Sequence, residues 1–496
     1  MGVIFRQSFK QSIVSYLAVA IGMVNMLYVY PLIFTKPEFG FVQFLLLTAS
    51  MLLPFVLLGA VPLAVKFFPQ FKDSPSGHHG FLGILLALVV IGFGLFAASC
   101  FLFKDFLMRY YADKMGDFLP YLPYLLPLLL MMCLWSILSV YSSNFQRIVV
   151  PSIFNNLFIK IAVPALALIY YFQFIQFSQV ATGLIIIHAA VVVFLMLYFH
   201  FLGQFHLRID FGFLNKKLKK QMAVFAGFSL LSGAGTKLAT QIDTFMVASF
   251  IDVGQVAVYA IAVAISGAIE IPKRSISGIV APIISAAWKE NNLAEIKKLY
   301  HKTALSQFII SLLLLTGVWV CIDNLFALIP HSADYIEGKY IVLILGMAKV
   351  IDMGTGSVGN IIKYSRFYKF DFYFLLALAL FNVITNYLLI PPFQIFGVAY
   401  ATLASLSLWN FVKCWFVWKK FGMHPFTWQF IASLLIAFLA YLPAAYLPTT
   451  GNVFFDIVFK ALTVTLIYGG LTLAFRVSPD LNLLAARLLE RGKQLF

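Results

Sequence analysis

Long apolar runs separated by short polar turns make up almost the whole chain. A helix that crosses a bilayer needs about 20 apolar residues. Fourteen runs meet that length, from 11–33 and 40–62 through 427–448 and 452–475. They predict an all-α, polytopic membrane protein with about 14 transmembrane helices. The bilayer, not a soluble-domain size, sets the unit of structure.

Composition agrees. The 496 residues are 62% hydrophobic and 11% charged, against roughly 25% charged in soluble domains. The net charge of +16 would point to nucleic acid in a soluble protein. Here the placement of Lys and Arg explains most of it. With the spans numbered in order, 23 of the 35 Lys and Arg fall on one side of the membrane. Five (Lys36, Lys104, Arg109, Lys114, Lys339) fall on the other. The remaining seven lie within spans: Lys160, Lys237, Lys273, Arg274, Lys349, Lys413 and Lys460. The positive-inside bias puts both termini in the cytoplasm and removes the case for a nucleic-acid partner.

Cys100, Cys133, Cys321 and Cys414 lie in or beside apolar stretches without metal or disulfide spacing. The first span follows Arg6 and Lys10 and lacks a cleavage pattern, so it reads as a retained helix. His188 and His200 near span six read as helix-packing or helix-end residues. The loop at 104–117 carries mixed charges and reads as a solvated turn. No HExxH or His/Cys cluster appears, and no large external domain is present to house catalysis. The chain reads as a non-enzyme without metal or cofactor.

Charges inside spans cost about 2.5–3.5 kcal/mol each at the bilayer centre by insertion scales, so they line cavities or pair with one another. Span seven (223–250) turns Gly233, Thr236, Lys237, Thr240, Gln241, Asp243 and Thr244 onto one arc. Span eight (255–283) places Ser266, Glu270, Lys273, Arg274 and Ser277 on one face, with Pro272 between them. Glu270 is spaced to pair with Lys273 or Arg274. Arg274 is about 14 Å along the helix from Ile283, too deep to snorkel. Span ten (338–361) carries Lys349 and Asp352, which can neutralise each other. Span five contributes Lys160, facing a cavity or snorkelling; Lys413 and Lys460 lie toward span ends and snorkel outward. These stripes fit either a wet, net-basic chamber for a large anion or purely structural ion clusters and polar seams.

Gly233-Ala-Gly-Thr-Lys237 lacks the order and context of a phosphate loop. The run Lys216-Lys217-Leu-Lys219-Lys220 sits in the longest basic loop, His206 to Gln221. It reads as a connector between two lobes, serving either topology or lipid headgroups. Spans two and eight show a faint repeat: Glu38-Phe39-Gly40 with Pro54, and Gln255-Val256-Ala257 with Pro272. Matching broken helices in two halves point to a transporter with its site between them. After Ser478-Pro479, Leu481, Leu484, Ala485 and Leu488 form one face of an amphipathic tail.

Several strings carry a family resemblance. Gln241-Ile-Asp243-Thr-Phe-Met246 then Val256-Ala-Val-Tyr259-Ala260 resembles helices seven and eight of the polysaccharide and O-antigen (lipid-linked oligosaccharide) flippases. These belong to the multidrug/oligosaccharidyl-lipid/polysaccharide exporter superfamily. Ile271-Pro272-Lys273-Arg274, Ala287-Trp288-Lys289-Glu290, Asn386 to Pro391 and Gly397 to Leu403 are similar to the same family, as is the opening from Arg6 to Gly40. The chain departs from the pattern at Ala257, where Gly is usual, and at Thr244, where a basic residue often follows the Asp.

The resemblance implies two six-helix lobes plus two appended helices: 1–205, a connector 206–222, 223–420, spans at 421–476 and a tail at 477–496. It implies alternating access that flips an undecaprenyl-pyrophosphate-linked glycan across the cytoplasmic (inner) membrane, coupled to a proton or sodium ion. Membrane lipids and other polysaccharide-assembly proteins are the remaining expected partners. Lys237, Lys273, Arg274, Lys349 and Lys160 would bind the pyrophosphate, because cations in a low-dielectric cavity attract phosphate strongly. Asp243, Glu270 and Asp352 would balance those cations or take the coupling ion. The competing readings are a multidrug-type cation antiporter, which favours acidic cavities, and an integral membrane polysaccharide polymerase.

Overall fold

The computed structural model describes residues 14, 17–73, 76–145, 147, 149–479 and 482. Among them every regular element is a helix. The amphipathic face expected at 481–488 lies outside the described residues.

Among the described residues, ten helices are long and apolar enough to cross a bilayer. Two more crossings are pairs joined at bends of 48° and 49°: Val253–Ala268 with Ile271–Lys289, and Gly338–Gly354 with Val358–Tyr364. One of the ten, Tyr368–Phe421, holds 54 residues and breaks at Gln394, where φ is 52° and ψ −133°. Pro391 and Pro392 precede the break. Proline cannot donate and crowds the preceding turn, so 368–393 and 395–421 are separate crossings. With the shorter apolar helix Leu17–Ile33, the described residues contain the fourteen spans expected from the apolar runs. The fold is a polytopic helical membrane fold.

The chain forms two compact units, 1–260 and 261–496. In the first, span two (Lys36–Leu57) is packed on by span three (Phe81–Leu102), span four (Leu125–Ser143) and span seven (Lys216–Phe250). Its first turn is closed by a capping box between Thr35 and Glu38, satisfying donors that a helix start leaves open. Phe39, Phe41, Phe44 and Leu45 are buried below it. Gly40 permits the start of span eight to touch this helix. A Cβ there would lie 1.9 Å from the carbonyl oxygen of Val253. The two faintly repeated segments therefore meet backbone to backbone.

Span two ends where Leu58 and Gly59 both take left-handed conformations. The chain then re-enters a helix, Ala60–Phe71, which lies against span seven. Span seven begins earlier than its apolar run. The Asn215 side chain accepts from the Leu218 amide and caps a helix that starts at Lys216. The basic run 216–220 is thus the first turn and a half of a span and not loop. Lysine is a good helix former, and a strong cap outweighs hydropathy in deciding where the helix begins.

The segment read as a solvated turn is also helical. Lys104–Met115 forms a helix whose Tyr111 is buried against Ser249 at 2.8 Å, with Lys114 3.5 Å over the Tyr110 ring. In the second unit, Ile309, Leu312, Val350, Ile436, Ala440 and Tyr468 pack together from spans nine, ten, thirteen and fourteen. A second core joins Ile284, Tyr300, Ile361 and Val417. Many of the largest exposed side chains are apolar, among them Phe101, Phe201, Phe228 and Leu466. Lipid makes such an exterior favourable, where in water it would aggregate.

Candidate functional site

Spans eight and ten carry opposite charges in complementary order. On span eight Glu270 precedes Lys273; on span ten Lys349 precedes Asp352. Both helices are bent, and Glu270 sits at the bend, as the residue before the helix Ile271–Lys289. The pairing is across helices. Lys349 Nζ donates to Glu270 Oε2 at 2.5 Å, and Lys273 Nζ pairs with Asp352 Oδ2. The sequence spacing had suggested pairs within each helix. The bend takes Glu270 off the continuous helical register, so its nearest cation belongs to the facing span.

These four side chains are 14–27% exposed. They are neither fully buried nor as exposed as Phe101 or Leu466. Asn410 of span twelve donates to Asp352 Oδ1 at 3.1 Å and also to the carbonyl of Leu406 at 2.9 Å. Thr355 bridges Asn410 Oδ1 at 3.2 Å and the Asp352 carbonyl at 2.8 Å. Lys413, expected to snorkel away, instead stands in the electrostatic field of Asp352, Lys273 and Asp371. Sequence reasoning missed Asn410, Lys413 and Asp371. The available signal was the i, i+3 spacing of Asn410 and Lys413 inside an apolar span. Arg274 is exposed on the side of its helix away from the Val280–Ile284–Ala287 core stripe.

The remaining candidates belong to the first unit. Lys237 Nζ donates to Ser50 Oγ of span two at 2.9 Å. Asp243 is buried and accepts from Tyr259 OH at 3.2 Å. On the same polar arc, Thr236 and Thr240 are exposed and bond back to carbonyls four residues earlier. Lys160 makes two contacts with span one. Its Nζ donates to the Ala18 carbonyl at 2.7 Å, and its own carbonyl accepts from Asn25 Nδ2 at 2.7 Å. This double clasp joins spans one and five beside two π-helical stretches: Asn25 opens Asn25–Val29, and Lys160 follows Ile153–Phe158 by two residues. Such stretches widen a helix by one residue and are frequent at functional positions. Within the described residues, then, the structure brings Glu270, Lys273, Lys349 and Asp352 together and holds Lys237, Asp243 and Lys160 at separate contacts.

No metal-binding group of three His, Cys, Asp or Glu occurs among the described residues. His188 is buried, its Nδ1 2.8 Å from the Leu184 carbonyl. Cys133, Cys321 and Cys414 are buried free thiols, and Cys100 is half-buried.

Solved structures share this architecture. An inward closed lipid II flippase MurJ matches with a TM-score of 0.75 at 13% identity, over 94% of this chain and 98% of its own. The fold is a MurJ- and MATE-type membrane fold. An inward-facing MATE-family multidrug transporter of the MOP superfamily matches at 0.65 and 12% identity, over 82% and 94%. An outward-facing MATE transporter matches at 0.53 and 14%, over 85% and 95%. No family profile matches the sequence, and no curated protein matches it.

Proposed function

We propose that this chain is a flippase for an undecaprenyl-pyrophosphate-linked oligosaccharide of the O-antigen type, working by alternating access in the cytoplasmic (inner) membrane with both termini cytoplasmic. The observation that carries the reading is the crossed ion-pair network of spans eight and ten. Its lysines are balanced by carboxylates at rest, while Arg274 is exposed close by on span eight.

Physical chemistry supplies the cycle. An arriving pyrophosphate competes with Glu270 and Asp352 for Lys349 and Lys273. A guanidinium offers a planar fork to phosphate oxygens, and Arg274 is the residue assigned that contact. Carboxylates released from their lysines then take a proton or sodium ion, which couples the cargo to an ion gradient. Re-forming the crossed pairs expels the cargo. Glu270 stands at the bend of span eight, and Asp352 lies two residues before the helix of span ten ends at Gly354, so the exchange of partners acts beside the places where the spans bend. Lys237 and Lys160 are the cations assigned to the first lobe and Asp243 its carboxylate. Lobe boundaries at 205, 223 and 420 and partnership with other polysaccharide-assembly proteins belong to the same proposal.

Complementation of a flippase-deficient strain tests it, with wild type, Arg274→Ala and Arg274→Lys at matched membrane levels. Wild type is expected to restore surface glycan. Arg274→Ala should lose most of it and Arg274→Lys should retain part. Full activity of Arg274→Ala would remove Arg274 from the substrate site. Failure of wild type with every lipid-linked glycan, together with efflux of organic cations, would favour the multidrug reading.

A further inference from the structure

We propose that the cavity between the Ala60–Phe71 helix and the start of span seven binds an anionic phospholipid, its phosphate held by Lys66, Lys217 and Lys220. The cavity measures about 670 Å³, within the range of small-molecule sites. That volume suits a headgroup and the first part of its chains, with the remainder lying along the protein surface.

Three observations converge. The first is charge: the three lysines line the cavity and no carboxylate does. Gln70 and Gln221 complete its polar end, supplying amide donors. The second is polarity along the helix. On span seven the lining positions are Lys217, Lys220, Gln221, Val224, Phe225 and Phe228, one face at helical spacing. Polar residues fill the first half and apolar ones the second. The distance from Lys217 to Phe228 is about 16 Å along the axis, so the site passes from headgroup chemistry to acyl chemistry in one direction. That is the profile of a phospholipid entering from the membrane interface.

The third is preorganisation. Lys66 Nζ lies 3.9 Å from the Phe225 ring centre and 5.8 Å from that of Phe67. Cation–π contact holds the ammonium over an apolar floor, leaving its remaining donors for phosphate oxygens. The fold builds this arrangement through Gly59, at φ +79°, where a Cβ would lie 2.3 Å from the Ala226 carbonyl oxygen. Only glycine brings the two helices this close. Phe228 is 64% exposed and Val224 53%, so the apolar wall is open to chains from the bilayer. Lys237 lies nine residues beyond Phe228, about 14 Å further along the helix, so this site is separate from the residues assigned to the cargo. It stands whether or not the chain carries a glycan.

The test is native mass spectrometry of the full-length purified protein, titrated with dioleoylphosphatidylglycerol or dioleoylphosphatidylcholine in matched micelles. One phosphatidylglycerol should bind saturably, at least tenfold tighter than phosphatidylcholine. K66Q/K217Q/K220Q should weaken it at least tenfold, and K66R/K217R/K220R should retain it within threefold. K72Q/K216Q/K219Q removes the same charge outside the cavity and should change binding less than twofold. All the substituted lysines are exposed, and an unchanged gel-filtration profile verifies folding. Equal loss in both glutamine triples overturns the site, as does equal affinity for phosphatidylcholine. Displacement of the lipid by equimolar inorganic pyrophosphate would assign the lysines to free phosphate and overturn the lipid assignment.

Discussion

Lys349 of span ten donates to Glu270 of span eight at 2.5 Å, and the reciprocal pair, Lys273 with Asp352, runs in the opposite sense. Exchanging the two charges of one pair therefore tests it directly. Glu270→Lys or Lys349→Glu alone should destabilise the protein by about 1–3 kcal/mol, toward the low side of a broken buried pair because both groups keep partial solvent contact. The double exchange should recover more than half of the loss in a thermal melt monitored by fluorescence-detected gel filtration. Additive losses would show that the two side chains are not coupled.

Gly40 is expected to be intolerant of even one methyl group. Its Cβ would meet the Val253 carbonyl at 1.9 Å, whereas a Cβ at Gly278 meets nothing within 4 Å. Gly40→Ala should cost about 1–3 kcal/mol or more, as overpacked contacts do. Gly278→Ala should leave the melting temperature within 1–2 degrees, since surface changes of this kind are worth about 0.5 kcal/mol or less. Similar melts for the two variants would contradict the close approach.

Lys413 is expected to matter more than its position near a span end implies. It stands within the electrostatic reach of Asp352 and Asp371, while Lys419 near the end of the same helix stands 5.0 Å over the Trp415 ring. Lys413→Gln should lower transport about tenfold or more, the scale of one charge-assisted contact, and Lys419→Gln should stay within about twofold. Glycan translocation in membrane vesicles is the measurement. An unchanged rate for Lys413→Gln would place it outside the working network.

Outside the spans, His79 Nδ1 lies 3.0 Å from Asp210 Oδ2 and its ring stacks on Phe213 at 3.9 Å. The hydrogen bond from His79, then those from the Phe213 and Gly212 amides, hold the Asp210 carboxyl below its ordinary value. A depressed folded-state value stabilises the clamp above the unfolded carboxylate pKa, about 3.9. That stabilisation is lost as pH falls through the lower folded value. His79→Ala should raise the Asp210 pKa and increase hydrogen exchange at 204–213 at neutral pH. Unaltered exchange in that segment would separate the clamp from Asp210.

What the chain determined by itself is the set of crossings. Bilayer thickness fixes their length, and the cost of unsatisfied backbone groups in lipid fixes them as helices. Hydropathy therefore carried the fourteen spans. Proline marked the bend beside Pro272, whereas span two runs unbroken through Pro54 and ends at Leu58 and Gly59. It also named the charged positions, because Glu270, Lys273, Lys349 and Asp352 are costly wherever they stand in lipid. It could not rank their partners. Spacing along one helix offers Lys273 to Glu270, but the bend at that residue and the facing span offer Lys349 instead. Nor did hydropathy find Lys413 in the Asp352 cluster, the capped helix start at Lys216, or the packed helix Lys104–Met115. Each depends on neighbours far away in sequence or on one capping side chain. Tertiary structure decided the pairs, since ion-pair energy depends on distance and burial, and both belong to the folded chain.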